Sequence, residues 1–299
     1  MPETTTGTQP PPGDADNGSA LEPGSAARAI EMPVQEVIIT LVGEYFAGGQ
    51  RIWSGGLVLL LAELGFSDTA ARVALGRVVS RGLLTKVKEG RRVFYHATSR
   101  LEELLAEGHR QTFWFRYDSG EWDGSWTFVW YAIPERLMLA RRRLSRRLAF
   151  LGFAALQDGT WIAPRDTGRD VQTIVAELDI DKYVLMLVGH SVSRDNEVIS
   201  FERGWDLPEL ESRYARFREV HEPLLTRTAI SGRDAFVARA EILEFLRQVA
   251  ALDPKVLDDR LGPSLSDQRS AAIAIFDRLE DLLRAPATGF VTSISSPPE

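Results

Sequence analysis

Residues 67–100 read SDTAARVALGRVVSRGLLTKVKEGRRVFYHATSR, and this stretch decides how the first part of the chain folds. Eight of its residues are Lys or Arg and two are Asp or Glu, in a chain whose formal net charge is −7. A helical pattern with arginines on its outer face leads into two short alternating segments joined by Glu89-Gly90. This order predicts a recognition helix followed by a basic β-wing, which favours duplex DNA as the partner.

Apolar residues at helical spacing predict three helices before the wing. The first helix runs from Val34 to the Gly48-Gly49 pair, and its apolar positions include Ile38, Leu41, Val42 and Tyr45. Ser54 is expected to cap a second helix over residues 56–64, and Ser67 or Asp68 to cap the third. In the third helix the predicted inward residues are Ala71, Leu75, Val78 and Val79. The predicted outward residues, which are candidates for contacts with base edges, are Thr69, Val73, Arg77 and Ser80.

The wing is predicted to add cations to this surface. Its first strand alternates Leu83, Thr85 and Val87 with Leu84, Lys86 and Lys88, and its second places Val93, Tyr95 and Ala97 on one face. Arg77 is predicted to pair with a guanine in the major groove. The predicted phosphate contacts are Arg72, Arg81, Lys86, Lys88, Arg91 and Arg92. The alternative is a solvated helix and hairpin in a winged-helix module that binds protein.

The composition is that of a globular chain with two or three domains, since 44% of its 299 residues are hydrophobic and 26% are charged. The absence of cysteine excludes disulfides, Cys-based zinc fingers and thiol catalysis, and it fits a cytoplasmic location. No apolar run reaches about 18 residues, so no transmembrane helix is expected. Residues 1–30, rich in Thr, Pro, Gly, Ala and Ser, are predicted to be a disordered tail.

The positive charge is concentrated in two segments. Residues 67–100 carry +6 (8 − 2) and residues 135–147 carry +5 (six Arg, one Glu), so the rest of the chain carries −18. A basic face on an acidic body predicts DNA binding with steep salt dependence. For Arg142, Arg143 and Arg146 three interpretations stay open besides a solvated face: contact with flanking DNA, an acidic ligand, or acidic residues of a partner subunit.

The middle of the chain alternates strand and helix patterns. A buried strand is expected over residues 126–133, a helix opening at Pro134-Glu135, a hairpin over residues 153–164, a helix over residues 169–178 and a strand over residues 183–188. The inward residues of the first of these helices are Leu137, Ala140, Leu144, Leu148 and Leu151. The β-α-β-β-α-β order predicts a ferredoxin-like α+β sandwich.

The last part of the chain is predicted to be helical. Leu207, Leu210, Tyr214 and Phe217 share a face, and further helices are expected over residues 234–252 and 266–283. The last helix is apolar on more than one side, which predicts packing on a partner subunit and on its own core. The predicted boundaries are a tail at residues 1–30, a winged helix-turn-helix domain at 31–110, a ferredoxin-like domain at 111–204 after the aromatic residues 113–115, a helical effector and dimerisation domain at 205–285, and a tail at 286–299.

One segment suggests catalysis. Residues 183–193, YVLMLVGHSVS, resemble the nucleophile elbow of α/β-hydrolases, with Ser191 as nucleophile, His221 as base and Asp195 or Asp206 as acid. Ser193 stands where the elbow needs its last glycine, and residues 194–199 lack a helical apolar period. A serine esterase or thioesterase is therefore the lesser alternative. His96 and His109 are not at metal-ligand spacing, so no catalytic residue, metal site or cofactor is predicted.

Several of these strings together resemble a known family. They are ARVALGRVVSRGLL at residues 71–84, YHATSR at 95–100, WTFVWYAIPE at 126–135, Trp205-Asp206-Leu207 with Tyr214 and Phe217, and Arg247 before Asp253-Pro254. Over residues 33–285 the chain is similar to the PaaX family of transcriptional repressors, named for phenylacetic acid degradation. The resemblance implies a winged helix-turn-helix domain, a ferredoxin-like domain and a helical domain. It also implies a homodimer on a pseudo-palindromic operator, repression of a catabolic operon, and release by an aryl- or acyl-CoA such as phenylacetyl-CoA.

The chain departs from that family at two places. Residues 255–272, KVLDDRLGPSLSDQRSAA, lack the Leu-Pro and Trp-Pro-Gly elements expected after Asp253-Pro254, which leaves the effector open. A CoA thioester needs cations for its phosphates and an apolar slot for its acyl group. The candidates are Arg203, Arg213, Arg216 and Arg247 with Trp205, Tyr214 and Phe217. The middle domain also resembles CRISPR-associated endoribonucleases, but Ala132 replaces their strand-ending Asp.

Overall fold

The structure is a computed structural model that describes residues 32–46, 48–106, 122–254, 256 and 262–297. The predicted tail at residues 1–30, the aromatic residues 113–115, His109 and the predicted boundary at residues 110–111 lie outside the described residues. The chain combines helices and antiparallel sheets and ends in a helical region, so it is an α+β protein. No helix of the described part is long and apolar enough to span a membrane.

The first part of the chain consists of helices and a small sheet. Its elements are α1 (Val34–Tyr45), β1 (Ile52–Trp53), α2 (Ser54–Glu63), α3 (Asp68–Ser80), β2 (Leu84–Glu89), β3 (Arg92–Ala97) and α4 (residues 99–106). The sheet is antiparallel in the order β1-β3-β2. Side chains of the helices close a core beside it, among them Ile38, Leu41, Leu57, Leu61, Leu75 and Val78.

Two helix starts test the capping predictions. The Ser67 hydroxyl accepts a hydrogen bond from the Ala70 amide at 3.2 Å, so Ser67 is the cap of α3 as predicted. The prediction that Ser54 is a cap is wrong, because α2 begins at Ser54 itself and Trp53 occupies the cap position without a side-chain bond. Trp53 belongs to β1, a strand that the sequence pattern missed because it is only two residues long.

The middle part has two helices against a four-stranded sheet. Its elements are β4 (Ser125–Tyr131), a 3₁₀ turn (Glu135–Leu137), α5 (Met138–Phe150), β5 (Ala154–Gln157), β6 (Thr160–Ala163), α6 (Gly168–Glu177), a second 3₁₀ turn (Asp181–Tyr183) and β7 (Val184–His190). The strands are antiparallel in the order β5-β6-β4-β7. One sheet face and the two helices share a core that includes Val129, Leu144, Leu148, Val171 and Val175.

The other face of this sheet is divided into two regions. At one end Trp126 packs with Phe201 and Trp205, with ring centroids 4.9 Å and 6.5 Å away. At the other end four apolar side chains of β4 and β7 are 39–59% exposed. We call this set the sheet-face patch; its members are Phe128, Trp130, Leu185 and Leu187. Phe128 pairs with Leu187 and Trp130 with Leu185, so the patch is continuous across two neighbouring strands.

The last part is helical, with α7 (Arg194–Gly204), α8 (Leu207–His221), a 3₁₀ turn (Glu222–Thr226), α9 (Gly232–Leu252) and α10 (Pro263–Ser295). The prediction that α10 ends near Pro286 and is followed by a tail is wrong, because the helix continues through Pro286. Ala287 and Val291, beyond the proline, are buried in the main core. A Cβ added to Gly56 of α2 would lie 2.6 Å from the Ser295 Cα, so the two helices approach closely there. This packing outweighs the hydrogen bond that the proline removes.

Candidate nucleic-acid interface

The outer face of α3 carries the four side chains that its periodicity predicts. Thr69, Val73, Arg77 and Ser80 are exposed, whereas Ala71, Leu75 and Val78 are buried. Val73 is an apolar side chain that is 49% exposed in the middle of this face. The arrangement fits a helix that contacts base edges through a mixture of apolar, hydroxyl and guanidinium groups.

Arg72 is held beside this face by an acidic neighbour one turn earlier. Its Nε and Nη2 donate to the two carboxylate oxygens of Asp68 at 2.6 Å and 2.9 Å. The Arg72 guanidinium lowers the pKa of Asp68, and the same hydrogen bond raises the pKa of Arg72. Asp68 therefore orients this cation and also places a negative charge at the start of α3.

The wing contains an ion pair that sequence reasoning missed. Arg51, which precedes β1, donates to Glu89 at the wing tip at 2.6 Å, and its guanidinium lies 4.3 Å from the centroid of the Phe94 ring. Glu89 is the acidic residue of the wing, so this pair balances its charge. The signal for it was weak, because Arg51 lies 38 positions before Glu89 in a segment that was not predicted to be a strand.

The predicted wing cations are all exposed, and these are Lys86, Lys88, Arg91 and Arg92. The predicted assignment of wing faces is only partly right. Leu84 and Phe94 are buried, while Thr85 and Val87 are exposed. Five of the six residues of β2 are exposed, so the alternating pattern in that strand does not separate a core face from a solvent face.

The cations at the end of α3 contact other parts of the same surface. Arg81 donates to the Gln35 amide oxygen at 3.4 Å, and Arg100 donates to the Arg81 carbonyl at 3.1 Å. The Ser80 hydroxyl donates to the Arg77 carbonyl at 2.9 Å. The structure thus brings the predicted DNA-binding residues onto one helix, its end and the adjoining hairpin, where they form an exposed basic surface.

The seven predicted effector residues do not form one site. Arg213, Arg216 and Phe217 line a cavity of about 320 Å³ between α8 and α9, which we call the C-terminal cavity. Tyr214 is fully buried, and its hydroxyl donates to Asp253 at 2.5 Å. Trp205 belongs to the aromatic cluster of Trp126 and Phe201. Arg203 is exposed on α7.

Arg247 is also away from that cavity. Its guanidinium donates to the Glu36 carboxylate at 2.7 Å and to the Thr40 hydroxyl at 3.0 Å, both on α1. It therefore ties the last part of the chain to the first. The C-terminal cavity itself carries three glutamates, Glu209, Glu241 and Glu244, against two arginines.

Ser193 of the suggested nucleophile elbow and His221, its suggested base, make other contacts. Ser193 caps α7 by accepting from the Asn196 amide at 3.3 Å, and residues 194–199 are helical, contrary to the expectation from their apolar pattern. The His221 ring lies 4.9 Å from the Phe217 ring in the C-terminal cavity. Among the described residues no group of three or more acidic or histidine side chains is placed to hold a metal.

The fold and this surface define a three-part α+β protein whose first part presents an exposed basic helix and hairpin. Family models match each part in turn: PaaX-like protein over residues 34–101, PaaX protein central Cas2-like domain over residues 119–198, and PaaX-like protein C-terminal domain over residues 205–293. The chain belongs to the PaaX family, and the resemblance seen in its sequence is confirmed.

One named relative agrees with this assignment. The chain is 27% identical over 248 residues to the transcriptional repressor PaaX of Escherichia coli, which covers 80% of this chain and 77% of the relative. It also matches the structure of an uncharacterized protein from Mycobacterium tuberculosis, with 23% identity, a TM-score of 0.42, and coverage of 83% of this chain and 99% of that one. The matched models and the named relative describe a transcriptional repressor family and not an enzyme, so the esterase alternative is rejected.

Proposed function

We propose that this protein is a transcriptional repressor that binds duplex DNA through α3 and the β2–β3 wing. The observation that carries the proposal is the exposed basic surface on one helix and the hairpin that follows it. The three helices and the sheet order β1-β3-β2 support the proposal that this part is a winged helix-turn-helix domain. The family assignment and the name of the Escherichia coli relative support the same function.

Within this surface we assign different tasks to different cations. Arg77 projects from the exposed face of α3 and reads a guanine, since a guanidinium matches the two acceptors of that base in the major groove. Lys86, Lys88, Arg91 and Arg92 on the wing hold phosphates, and so do Arg72 and Arg81 beside α3. Thr69, Val73 and Ser80 are close to base edges. Binding by such a surface weakens steeply with salt.

The middle part is proposed to be a ferredoxin-like domain that joins two copies of the chain. Its strand order β5-β6-β4-β7 and its two helices on one sheet face support this proposal. The sheet-face patch supports dimerisation, because four apolar side chains on paired strands are costly to leave in water. Two-fold symmetry places two winged helices on a pseudo-palindromic operator.

Repression is proposed to end when an effector binds better to the conformation that spaces the two winged helices unfavourably. An aryl- or acyl-CoA is the effector class that the family suggests. The ion pairs that tie α1 to α9, Arg247 to Glu36 and Arg239 to Glu44, supply a physical link between the last part of the chain and the DNA-binding part.

The proposal is tested by fluorescence anisotropy with the full-length protein, a labelled fragment from upstream of its own gene, and a scrambled fragment of equal length. We expect selective binding to the upstream fragment at two salt concentrations, and weaker binding when phenylacetyl-CoA is added. Equal affinity for both fragments would reject sequence-specific repression. Selective binding that phenylacetyl-CoA leaves unchanged would retain the repressor and reject that effector.

A further inference from the structure

The protein has a second cavity, in its middle part, whose charge is opposite to that of the C-terminal cavity. It has a volume of about 850 Å³ and lies between α5 and the β5–β6 hairpin. Four arginines and one aspartate line it, whereas the C-terminal cavity has two arginines and three glutamates. We call it the α5 cavity. An anionic ligand is attracted by the α5 cavity and repelled by the carboxylates of the other.

The hairpin that forms one wall of the α5 cavity is held firmly in place. The Tyr131 amide donates to the Gly159 carbonyl at 2.8 Å, and the Tyr131 hydroxyl is 3.0 Å from the Ser145 hydroxyl of α5. Gly159 has φ of +75°, and a Cβ there would lie 2.6 Å from the Tyr131 carbonyl oxygen. The turn therefore requires glycine and approaches β4 closely.

The arginines of the cavity are only partly balanced. Arg141 pairs with Asp158 of the hairpin, which orients its guanidinium and raises its pKa. Arg142, Arg143 and Arg146 have no carboxylate partner within the described part of the chain, and Arg146 donates to the Arg142 carbonyl at 3.3 Å. Four arginines and one aspartate leave a charge of +3 on the lining. Guanidinium groups in such number bind phosphate oxygens, often through two parallel hydrogen bonds.

The same cavity has an apolar side. Met138 and Leu139, at the start of α5, are 37% and 73% exposed, and Trp161 and Ala155 of the hairpin complete this side. Exposed apolar side chains beside unpaired arginines suit a ligand that has an anionic end and a flat or apolar end. A helix that only faces solvent would not need exposed apolar side chains next to unpaired arginines.

We propose that the α5 cavity binds a nucleotide-type ligand, that is, a small molecule with two or more phosphate groups joined to a flat apolar group. The phosphates lie against Arg142, Arg143 and Arg146, and the apolar group lies against Leu139 and Trp161. Such a ligand has two sources, a free nucleotide or the nucleotide portion of a coenzyme A derivative. The coenzyme A case rests on the effector class of the proposed function. Binding is measured without DNA, so its failure is distinguishable from a failure of the proposed repressor function.

The test is calorimetric titration of the full-length protein with ADP, coenzyme A, inorganic pyrophosphate and adenosine. We expect ADP and coenzyme A to bind, pyrophosphate to bind more weakly and adenosine not to bind. Tighter binding of coenzyme A than of ADP identifies a coenzyme A derivative as the source, and the reverse order identifies a free nucleotide. No binding of ADP or coenzyme A at millimolar concentration would overturn the proposal.

Three variants locate the site. Arg142→Gln/Arg146→Gln should weaken binding of ADP and coenzyme A at least about tenfold, since the variant loses ionic hydrogen bonds to phosphate. Leu139→Ser should weaken both nucleotides and leave pyrophosphate unchanged. Arg147→Gln is the matched control, because Arg147 is on the same helix but pairs with Glu177 outside the cavity.

Two results with these variants would contradict the site. Equal losses in Arg147→Gln and in the double variant would show a general effect of charge. A double variant that binds nucleotides normally but loses DNA affinity would show instead that α5 contacts flanking DNA. Thermal unfolding of each variant checks that it folds, and the exposure of Arg142, Arg146 and Leu139 predicts that it does.

Discussion

Arg239 of α9 and Glu44 of α1 form an ion pair at 2.9 Å across the junction between the last and first parts of the chain. The Arg239 side chain is 2% exposed and also donates twice to Glu280, at 2.6 Å and 3.1 Å. Burial by itself lowers the pKa of a guanidinium, but the hydrogen bond and charge of Glu280 raise the pKa of Arg239 above its usual value. Arg239 is therefore a buried cation that holds carboxylates from two helices.

Removal of this cation should destabilise the protein strongly. Arg239→Met removes the buried cation that both Glu44 and Glu280 contact, while Glu280 keeps the exposed Arg284, and we expect the free energy of unfolding to fall by about 3–5 kcal/mol. Arg233→Met is the matched control, because the pair of Arg233 with Glu63 joins α9 to α2 at the surface. Its loss should cost less than about 1 kcal/mol. Urea unfolding measures both, and equal effects would show that burial does not matter at this junction.

Substitution of different cations on the proposed DNA surface should change DNA affinity in different ways. Arg77→Ala should lower affinity for the specific fragment more than for the scrambled one. Arg91→Ala/Arg92→Ala should lower affinity for both fragments and make the dependence of log affinity on log salt shallower. Anisotropy titrations at four salt concentrations give both quantities. If each variant lost the same factor on both fragments, the division between base reading and phosphate contact would be wrong.

A variant at Asp68 should change DNA affinity in the opposite direction. Asp68→Asn removes a carboxylate next to the phosphate backbone and releases Arg72 from its ion pair, so we expect tighter DNA binding at low salt. Ser67 remains as the cap of α3, so the helix is retained. Lower affinity in this variant would show that Asp68 is needed to orient Arg72.

The sheet-face patch should control the oligomeric state. Leu187→Glu places a charge in the middle of the patch, opposite Phe128, and should convert the proposed dimer to a monomer. Val192→Glu is the control, because Val192 is 95% exposed and follows the same strand. Sedimentation equilibrium measures both. A Leu187→Glu dimer as stable as the wild type would exclude this face as the interface.

Tyr214 predicts a pH dependence in the last part of the chain. Burial, and then the Asp253 carboxylate, raise the pKa of Tyr214 well above its usual value of 10.0. Above about pH 10 the unfolded chain releases the phenolic proton while the folded protein keeps it, so the free energy of unfolding falls as pH rises. Tyr214→Phe has no phenolic proton, so this contribution to the pH dependence is absent from the variant.

The variant should therefore be less stable than the wild type at pH 8 by about 1 kcal/mol, for the lost hydrogen bond, and the difference should shrink toward pH 11. Asp253 keeps its bond from Arg269 at 2.8 Å in the variant, which limits the cost. Urea unfolding between pH 8 and pH 11 measures the difference. A constant difference across that range would show that Tyr214 does not titrate differently in the two states.

The local features of this protein were determined by its sequence. Ser67 caps α3, the exposed residues of that helix follow from 3.6-residue spacing, and the order of strands and helices in the middle part was predictable from alternation. These features depend on neighbours within a few positions, so a linear pattern contains them. The family was recognisable for the same reason.

Tertiary structure alone decided which distant residues meet. Arg51 reaches Glu89, Arg247 lies against α1 and not beside Arg213, and α10 continues through Pro286 because Ala287 and Val291 are buried. A glycine turn likewise brings Asp158 to Arg141 at the wall of the α5 cavity. Such contacts depend on packing between elements far apart in the chain, and no local pattern of charge or hydrophobicity specifies that packing.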